Sequence, residues 1–593
     1  MKEKNKNALS DFIHILPHVL KIAPIGFVLL AVFSVLHSGL WFFVMRFNQR
    51  FYDSLISFAE NDAVLFDVIT ALLLVATTQI LKHVFNGISN FIPIVIKSKV
   101  NQSLSFAFHE KIGSIDAVMF EKPDFLESIE KANRGKSEIA WNTITLFYII
   151  FFYIPYFIFV SSYLFSLKPI LVITIIIIFV PIVLTQFVKA KIYAQTEDMA
   201  TPIKRENSYY LNCIVDREYF KETRILGSVG YFLKLFKKTL KEINNLQLKA
   251  DKKASIINLC LQLFSLAGYL GVLLLLFNSV ISGSISIGAF SAVFQGINDV
   301  YKLMEEVIYS SVGGMSRDLG YIKNYTDFMT QEGKKQASHE IDECGDITVQ
   351  DVSFKYPGAD DYALKNINLH IKKNEVVAVV GENGSGKTTL MRLLSGIYTP
   401  ELGQINYGGT QVADITPKSL YGNMSAVFQN FQKYKMNLGE NIRISDLSNP
   451  ALSEVLDNVC KNTRINPNNQ KIYPDGYDTM LSREFNGVEL SGGQWQRIAI
   501  ARGLYKRCSI IFLDEPTAAI DPIEEVKIYN DFITLIQGNT AFIVTHRLGS
   551  VRLADRIIVL DNGKIVGDGS HNQLMKNCCQ YKRLFNEQKK WYV

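Results

Sequence analysis

Six long apolar runs dominate the first half of the chain and predict helices that cross a bilayer. A membrane-spanning helix needs about 20 apolar residues, and each run has roughly that length or more. The runs lie at about residues 22–45, 64–84, 139–166, 169–188, 255–282 and 287–308. Residues 1–320 are therefore predicted to form an all-α membrane domain of six spans.

The distribution of basic residues predicts how this domain is oriented. Segments 97–138 and 189–254 hold seven and fourteen Lys and Arg residues, whereas the alternate connections 46–63, 166–168 and 283–286 hold three between them. Because basic loops remain on the cytoplasmic side, we expect both termini and the two long segments to be cytoplasmic. The long segments also show apolar residues at spacings of three and four, as at 219–226, which predicts helices that extend out of the membrane.

Polar side chains interrupt the fifth and sixth spans. Asn258 and Gln262 lie four residues apart on one helical face, and Gln295, Asn298 and Asp299 share a face of the sixth span. One interpretation is a water-filled path for a substrate, since unpaired polar groups are costly in lipid. The other is hydrogen bonding between helices, or a helix end that already lies in water.

The second half of the chain changes to the pattern of an α/β domain. Residues 321–346 are polar and predict a linker, and residues 347–593 predict a separate domain. The buried strand 376–380 runs directly into Gly-Glu-Asn-Gly-Ser-Gly-Lys-Thr at 381–388, and a helix follows from Thr389. Strand, glycine-rich loop and helix in this order predict a P-loop, whose backbone N–H groups bind phosphates.

Composition narrows the classes of protein and of site. The chain has 593 residues, and its net charge of +6 gives no support for nucleic acid as a partner. The mean hydropathy of +0.13 is high for a soluble protein. The seven cysteines include no CxxC pair and have no His-rich companion, so the sequence predicts neither a metal centre built on cysteine nor a disulfide framework.

A second motif restricts the P-loop to one family. Leu490-Ser491-Gly492-Gly493-Gln494 follows the P-loop by about 100 residues, and with it the chain resembles the ATPases of ABC transporters. The resemblance implies a type I ABC exporter half-transporter, with a six-helix transmembrane domain followed by an α/β P-loop ATPase domain. It also implies ATP and Mg²⁺ as ligands, and location in the cytoplasmic membrane.

The resemblance further assigns roles to single residues. Glu515 resembles the general base, Gln429 the residue that contacts Mg²⁺ and the attacking water, and His546 the switch histidine at the γ-phosphate. Thr388, Gln429 and Asp514 would hold Mg²⁺, partly through water. The nucleotide-binding residues implied are Tyr356, Gly381, Glu382, Asn383, Gly384, Ser385, Gly386, Lys387, Thr388, Thr389, Ser491, Gly492, Gly493, Gln494 and Asp521.

The same resemblance implies that one chain is half of a transporter. In the family, the signature loop closes on ATP held by a second ATPase domain, so a dimer is needed. Because every motif is intact, a homodimer is the simpler expectation, and a heterodimer stays open. Two departures from the usual pattern are Ala518, in place of the more usual serine, and the stretch Arg483–Gly487 before the signature.

Three segments point to a class of cargo. Residues 430–434, 440–446 and 490–496 resemble the exporters of lanthionine-containing bacteriocins, which implies a modified peptide as cargo and its biosynthetic enzymes as possible partners. A lipid or multidrug exporter is the alternative, and a neighbouring lanthionine synthetase gene would favour the peptide. Two other classes of protein are also considered. Soluble ABC ATPases that act in DNA repair or on ribosomes share the signature but lack the six spans. A channel or sensor built on the exporter scaffold would be identified by uncoupled ion conductance.

Some peptide exporters begin with a cysteine protease domain that removes the leader of the cargo. Here the first span begins near residue 22 and the first cysteine is Cys213. His14 and His18 precede the membrane without a cysteine partner. The expectation from this sequence is that the cargo is exported uncut.

Overall fold

The chain forms two compact units, each of which is described separately below. The first contains Met1–Lys111 and Glu127–Gln331, and the second contains Ile112–Leu126 and Glu332–Val593. The computed structural model describes residues 2–307, 313–331, 338–447, 453–515, 538–545, 551–552 and 554–589.

The first unit is helical throughout its described part. Its α-helices are Lys2–Ile22 (α1), Pro24–Ala59 (α2), Leu65–Gly113 (α3), Pro123–Tyr148 (α4), Ile154–Leu167 (α5), Ile170–Val215 (α6), Phe220–Ile225 (α7), Val229–Ile281 (α8), Ile287–Glu306 (α9) and Gly313–Thr330 (α10). A π-helical turn, Ile149–Tyr153, joins α4 to α5 without a break.

Four helical stretches in the described part are long and apolar enough to cross a bilayer. They are Pro24–Ala59, Leu65–Gly113, Pro123–Leu167 and Val229–Ile281. The predicted spans at 169–188 and 287–308 begin in α6 and α9, and the six-span count stays a prediction. With 49 and 53 residues, α3 and α8 are each about 75–80 Å long and exceed a hydrocarbon core of about 30 Å. They can therefore extend well beyond a membrane.

Several patches of packing stabilise the described part of the membrane unit, and two of them involve its long helices. One joins α2, α5 and α9, with Met45, Tyr156 and Val293 among its buried side chains. The other joins α6 to α8, where Asn207 Nδ2 donates a hydrogen bond to Thr239 Oγ1 at 2.8 Å. Small side chains such as Ala250 and Ala254 are buried along α8. They allow the two long helices to approach closely.

The second unit contains the α/β domain. Its strands are Ile347–Phe354 (β1), Leu364–Ile371 (β2), Val376–Gly381 (β3), Leu402–Tyr407 (β4), Thr410–Gln411 (β5), Met424–Val427 (β6), Ile510–Asp514 (β7), Thr540–Val544 (β8), Arg556–Asp561 (β9) and Lys564–Gly569 (β10). Its helices are Lys387–Leu394 (α11), Pro417–Gly422 (α12), Leu438–Arg443 (α13), Ser453–Asn462 (α14), Gly492–Tyr505 (α15), His571–Asn577 (α16) and Cys579–Lys589 (α17).

The described strands form two sheets, and one of them positions the functional loops. Its order is β10-β9-β3-β8-β7-β6, with parallel pairing from β9 to β6. The other sheet is antiparallel, in the order β2-β1-β4-β5. Because ligands of open α/β sheets bind at the carboxyl ends of parallel strands, the loops after β3, β7 and β8 form the expected site.

Candidate functional site

The P-loop connects β3 to α11. The backbone of Gly384 and Gly386 has φ values of +82° and +103°, a region that disfavours side chains with a Cβ. A Cβ at Gly386 would also lie 2.9 Å from the carbonyl oxygen of Ala363. These two glycines therefore set the path of the loop around the N-terminus of α11.

The loop borders a cavity of about 1020 Å³ at the carboxyl end of the sheet. Residues from the P-loop, the ends of other strands and α17 line it: Tyr356, Ala363, Val380, Gly381, Glu382, Asn383, Gly384, Gly386, Lys387, Thr388, Thr389, Gln429, Glu515, Thr545, Leu584 and Glu587. The Ser385 hydroxyl is buried and has no hydrogen-bond partner among the described atoms. A phosphate oxygen would supply that partner, so the cradle fits a nucleotide.

Lys387 supplies the positive charge of this cradle. Its side chain is 7% exposed, and its Nζ donates hydrogen bonds of 2.9 Å to the carbonyl oxygens of Gly381 and Glu382. Burial lowers the pKa of Lys387, and the carboxylates of Glu515 and Asp514 act in the opposite direction. The ammonium thus lies between the P-loop backbone and two acidic groups.

Asp514 and Glu515 lie at the end of β7, where the parallel register brings them beside β8. Asp514 is buried, which raises the pKa of its carboxyl group, whereas the hydrogen bond that it accepts from Thr388 acts in the opposite direction. Carboxylate and hydroxyl oxygens suit Mg²⁺, so Asp514 and Thr388 fit the predicted metal position. Mg²⁺ held there would neutralise charge on the phosphate oxygens.

Glu515 has an unusual backbone that fixes its side chain. Its φ is +45°, which is rare for a residue other than glycine, and its N–H donates to the Val544 carbonyl at 3.0 Å. Gln429 Nε2 donates to Glu515 Oε2 at 2.8 Å. The structure thus brings together the two residues that the sequence assigns to the attacking water.

Tyr356 also borders the cavity, and a chain of polar contacts connects it to the α3–α4 segment (Ile112–Leu126). The Tyr356 hydroxyl is 3.0 Å from Thr389 Oγ1 and 3.4 Å from Arg392 Nη1. Arg392 also donates to the Tyr398 hydroxyl at 2.9 Å, and both contact Glu121 Oε1, at 3.5 Å and 2.5 Å. Burial raises the pKa of Tyr398, so this hydroxyl remains a proton donor to Glu121 at neutral pH.

Glu121→Gln is expected to raise the KM for ATP roughly two- to fivefold with little change in kcat. The amide weakens the contacts to Arg392 and Tyr398, which hold Tyr356, and one hydrogen bond contributes about 0.5–1.5 kcal/mol. Steady-state ATPase kinetics of the full chain measure this. Thr399→Val is the matched control, because Thr399 contacts Asp116 of the same segment and is not among the described residues that line the cavity. An equal KM change in both variants would contradict the connection.

The signature residues lie at another place in the domain, at the start of α15. Ser491 accepts a hydrogen bond from the Gln494 N–H at 3.3 Å, and Gln494 Oε1 accepts from the Ser491 N–H at 2.7 Å. Gly492 and Gly493 lie between them, in the first turn of the helix. None of the four is among the described residues that line the cavity. A single copy therefore does not bring the signature to its own P-loop cavity.

Two predicted site residues cannot be placed. Asp521 and His546 lie outside the described residues. The structure adds lining residues that the sequence reasoning missed: Ala363, Val380, Thr545 at the end of β8, and Leu584 and Glu587 on α17. The sequence could have indicated Thr545, because it directly precedes the predicted switch histidine. It could not have indicated Leu584 and Glu587, because α17 carries no motif.

Comparisons with known proteins agree with this geometry. Residues 364–518 match the family model described as ABC transporter. The chain is 29% identical to the nisin transport ATP-binding protein NisT of Lactococcus lactis subsp. lactis, over 87% of each chain. It is 27% identical to the subtilin transport ATP-binding protein SpaT of Bacillus subtilis, over 94% of this chain and 91% of that one.

Two further comparisons concern the exporter fold and a different cargo. An ATP-dependent lipid A-core flippase of Alkalilimnicola ehrlichii is 38% identical over 41% of each chain. The solved structure of a bacterial Atm1-family ABC exporter with ATP bound superposes with a TM-score of 0.78 at 19% identity, covering 97% of this chain and 100% of that one. The predicted fold class, a helical membrane domain followed by an α/β ATPase domain, is confirmed. The chain therefore carries an ABC transporter ATP-binding domain, whose ATP hydrolysis is coupled to transport, behind a helical membrane domain in the fold of an ABC exporter.

Proposed function

We propose that this exporter moves a modified, lanthionine-type peptide out of the cell. The observation that carries the proposal is the extent of the similarity to the nisin and subtilin transport proteins, which reaches 87% and 94% of the chain. Lipid A-core flippases match at identities of 30% to 38%, but over 40% to 62% of the chain. The peptide relatives thus also match much of the membrane half, through which a cargo passes.

In this proposal, the cavity residues carry out phosphoryl transfer to water. Lys387, Thr388 and the P-loop N–H groups would hold the phosphates, and Thr388, Gln429 and Asp514 would hold Mg²⁺. Glu515 accepts a proton as a water oxygen bonds to the γ-phosphorus and the bond to the ADP oxygen breaks, giving ADP and phosphate. Because Gln429 holds the Glu515 carboxylate, that carboxylate is oriented before water binds.

The distribution of basic residues predicts the orientation of the protein in the membrane. The segments 97–138 and 189–254 hold most of the basic residues of the membrane half, which supports a cytoplasmic location for these segments and for the ATPase domain. The peptide, with its biosynthetic enzymes as possible partners, would then enter from the side on which ATP is available. Alternating access of the membrane domain would carry it across.

Transport into proteoliposomes tests the cargo. Vesicles with outward-facing ATPase domains are given ATP, a lanthionine precursor peptide with its leader, and a fluorescent lipid A analogue in parallel. We expect uptake of the peptide, stimulation of the ATPase by the peptide, and neither with Glu515→Gln. Lipid translocation without peptide uptake would contradict the peptide proposal and favour the flippase alternative.

A second copy of this chain is the proposed partner that completes each nucleotide site. The signature of one copy, at Ser491–Gln494, would close over the P-loop of the other. This arrangement makes a specific prediction for mixed dimers. A dimer of one Lys387→Ala copy and one Ser491→Arg copy places both changes in one composite site and leaves the other site intact. We therefore expect it to retain measurable ATPase activity, up to about half of the wild-type rate.

The matched control carries the same two substitutions on one copy, paired with a wild-type copy. In that dimer each composite site holds one change, so its activity is expected to fall to background. Two different affinity tags allow both heterodimers to be purified and assayed. Higher activity in the control than in the test dimer would mean that each signature acts on its own P-loop.

A further inference from the structure

A polar and aromatic cluster lies within the predicted spans of the membrane unit. Its members come from α2, α3, the α4–α5 junction and α9, and we refer to them as the intramembrane cluster: His37, Trp41, Lys82, Phe152, Tyr156 and Asp299. The proposed ATP hydrolysis uses none of these side chains. Charged groups at such positions are rare and mark functional sites by default.

Lys82 forms a cation–π contact with the Trp41 ring of the cluster. Its Nζ lies 3.8 Å from the centroid of the Trp41 ring, well within the range of a cation–π contact. Tyr156 meets the Trp41 ring edge-on, with centroids 5.7 Å apart and planes at 86°, and is 1% exposed. The ammonium is therefore held against a fixed aromatic face.

Asp299 adds negative charge to this cation position. Its carboxylate interacts electrostatically with both the Lys82 ammonium and the Tyr156 hydroxyl. Lys82 and Asp299 lie about 26 Å and 18 Å along α3 and α9 from the starts of these helices, at 1.5 Å per residue. Lys82 is thus near the end of the predicted span 64–84, whereas Asp299 lies well inside the predicted span 287–308, where a charge is costly unless it is paired. The aromatic face and the carboxylate can both stabilise a cation beside them.

Two further features show that the cluster is not closed off by its own contacts. Trp41 Nε1 is buried and has no hydrogen-bond partner among the described atoms, so a donor remains available for an acceptor group of the same substrate, next to its cation. Phe152, which stacks on His37 with centroids 4.9 Å apart, lies in the π-helical turn Ile149–Tyr153. Such turns occur frequently at functional sites.

We propose that the intramembrane cluster is a binding site for a cationic group of an amphipathic substrate, and that Lys82 occupies it as an internal ligand until that group displaces it. The aromatic face and Asp299 provide the chemistry that recognises a cation, and the flexible Lys82 stem allows its ammonium to move away. The proposal deepens the proposed transport function and rests on it for the identity of the cargo. It makes a positively charged peptide side chain the group that is recognised.

Binding of a lipophilic cation tests the site without assuming any cargo. Tetraphenylphosphonium is measured by equilibrium dialysis against the full chain in nanodiscs, without nucleotide, and tetraphenylborate serves as an anion of the same shape. We expect saturable binding of the cation only. Lys82→Met should tighten this binding about tenfold because it removes the internal competitor, and Asp299→Asn should weaken it about tenfold.

The chain offers a matched control on the same helix. Lys97 lies 5.8 Å from the centroid of the exposed Trp141 ring, so Lys97→Met removes a similar pair and should leave binding unchanged. Trp41→Phe keeps the ring but weakens the cation contact, and gives a second test if Asp299→Asn does not fold. Equal binding of cation and anion, or a shift in the same direction for Lys82→Met and Asp299→Asn, would overturn the site.

The test of the cation site can succeed or fail independently of the test of the proposed function. Dialysis needs neither ATP hydrolysis nor a peptide, so opposite shifts in the two variants would support the cation site even if peptide uptake fails in proteoliposomes. Conversely, peptide uptake that Lys82→Met and Asp299→Asn both leave unchanged would overturn a role for the cluster in recognising the peptide.

Discussion

Replacing Glu515 with glutamine is expected to slow ATP hydrolysis by about 10²- to 10⁴-fold while ATP remains bound. The amide cannot accept the proton of the attacking water, whereas Lys387 and the P-loop N–H groups are unchanged. Gln429 can still donate to the remaining carbonyl oxygen, so the side chain at position 515 should keep its position. Single-turnover hydrolysis and nucleotide retention in the full chain measure the two effects separately, and we expect a closed, ATP-bound dimer to accumulate.

Glu401→Gln is a suitable control for this change. Glu401 is an exposed carboxylate of the same domain, and it does not line the nucleotide cavity. The Glu401→Gln protein should hydrolyse ATP at the wild-type rate. A Glu515→Gln protein whose turnover stays within a few-fold of the wild type would show that Glu515 is not the base.

Lys387→Ala is expected to weaken ATP binding by roughly 10- to 150-fold, corresponding to the 1.5–3 kcal/mol of a hydrogen bond to a charged group. The substitution removes the ammonium that, in the proposed mechanism, faces the β- and γ-phosphates. It also leaves the carbonyl oxygens of Gly381 and Glu382 without the hydrogen bonds that Lys387 now donates. Titration calorimetry with a non-hydrolysable ATP analogue gives the change in Kd directly.

The comparison for this variant is Lys372→Ala, which removes an exposed lysine of the same domain that does not line the cavity. Its Kd should match the wild type, because a screened surface charge contributes little at physiological salt. If Lys387→Ala binds the analogue as tightly as Lys372→Ala does, the phosphates are held elsewhere.

Local sequence patterns were sufficient to predict which strands and loops form the centre of the candidate nucleotide site. The apolar run before Gly381 forms β3, and the apolar run before Asp514 forms β7. In both places a buried strand ends at a polar loop, so the residue order itself specifies which side chains meet at the sheet edge. Gln429 and Glu515 are 86 residues apart. Their pairing was predicted through the resemblance to the ABC transporters.

Contacts that depend on tertiary packing were not predictable in the same way. Glu121 and Arg392 belong to segments with no shared pattern, and only the folded unit brings them together. The π-helical turn at Ile149–Tyr153 lies within a continuous apolar run, where no residue signals an additional residue per turn. The Lys82–Trp41 contact likewise joins two spans that the sequence treats as independent.

The long separation between Glu121 and Tyr398 has a consequence for biosynthesis. The two residues are 277 positions apart, so at a synthesis rate of 5–20 residues per second the ribosome needs roughly 15–55 s to reach the second from the first. During that interval the α3–α4 segment has no surface to bind and is open to proteases. A substitution that delays folding of the ATPase domain should therefore appear first as cleavage near residues 112–126, well before the mature transporter shows any defect.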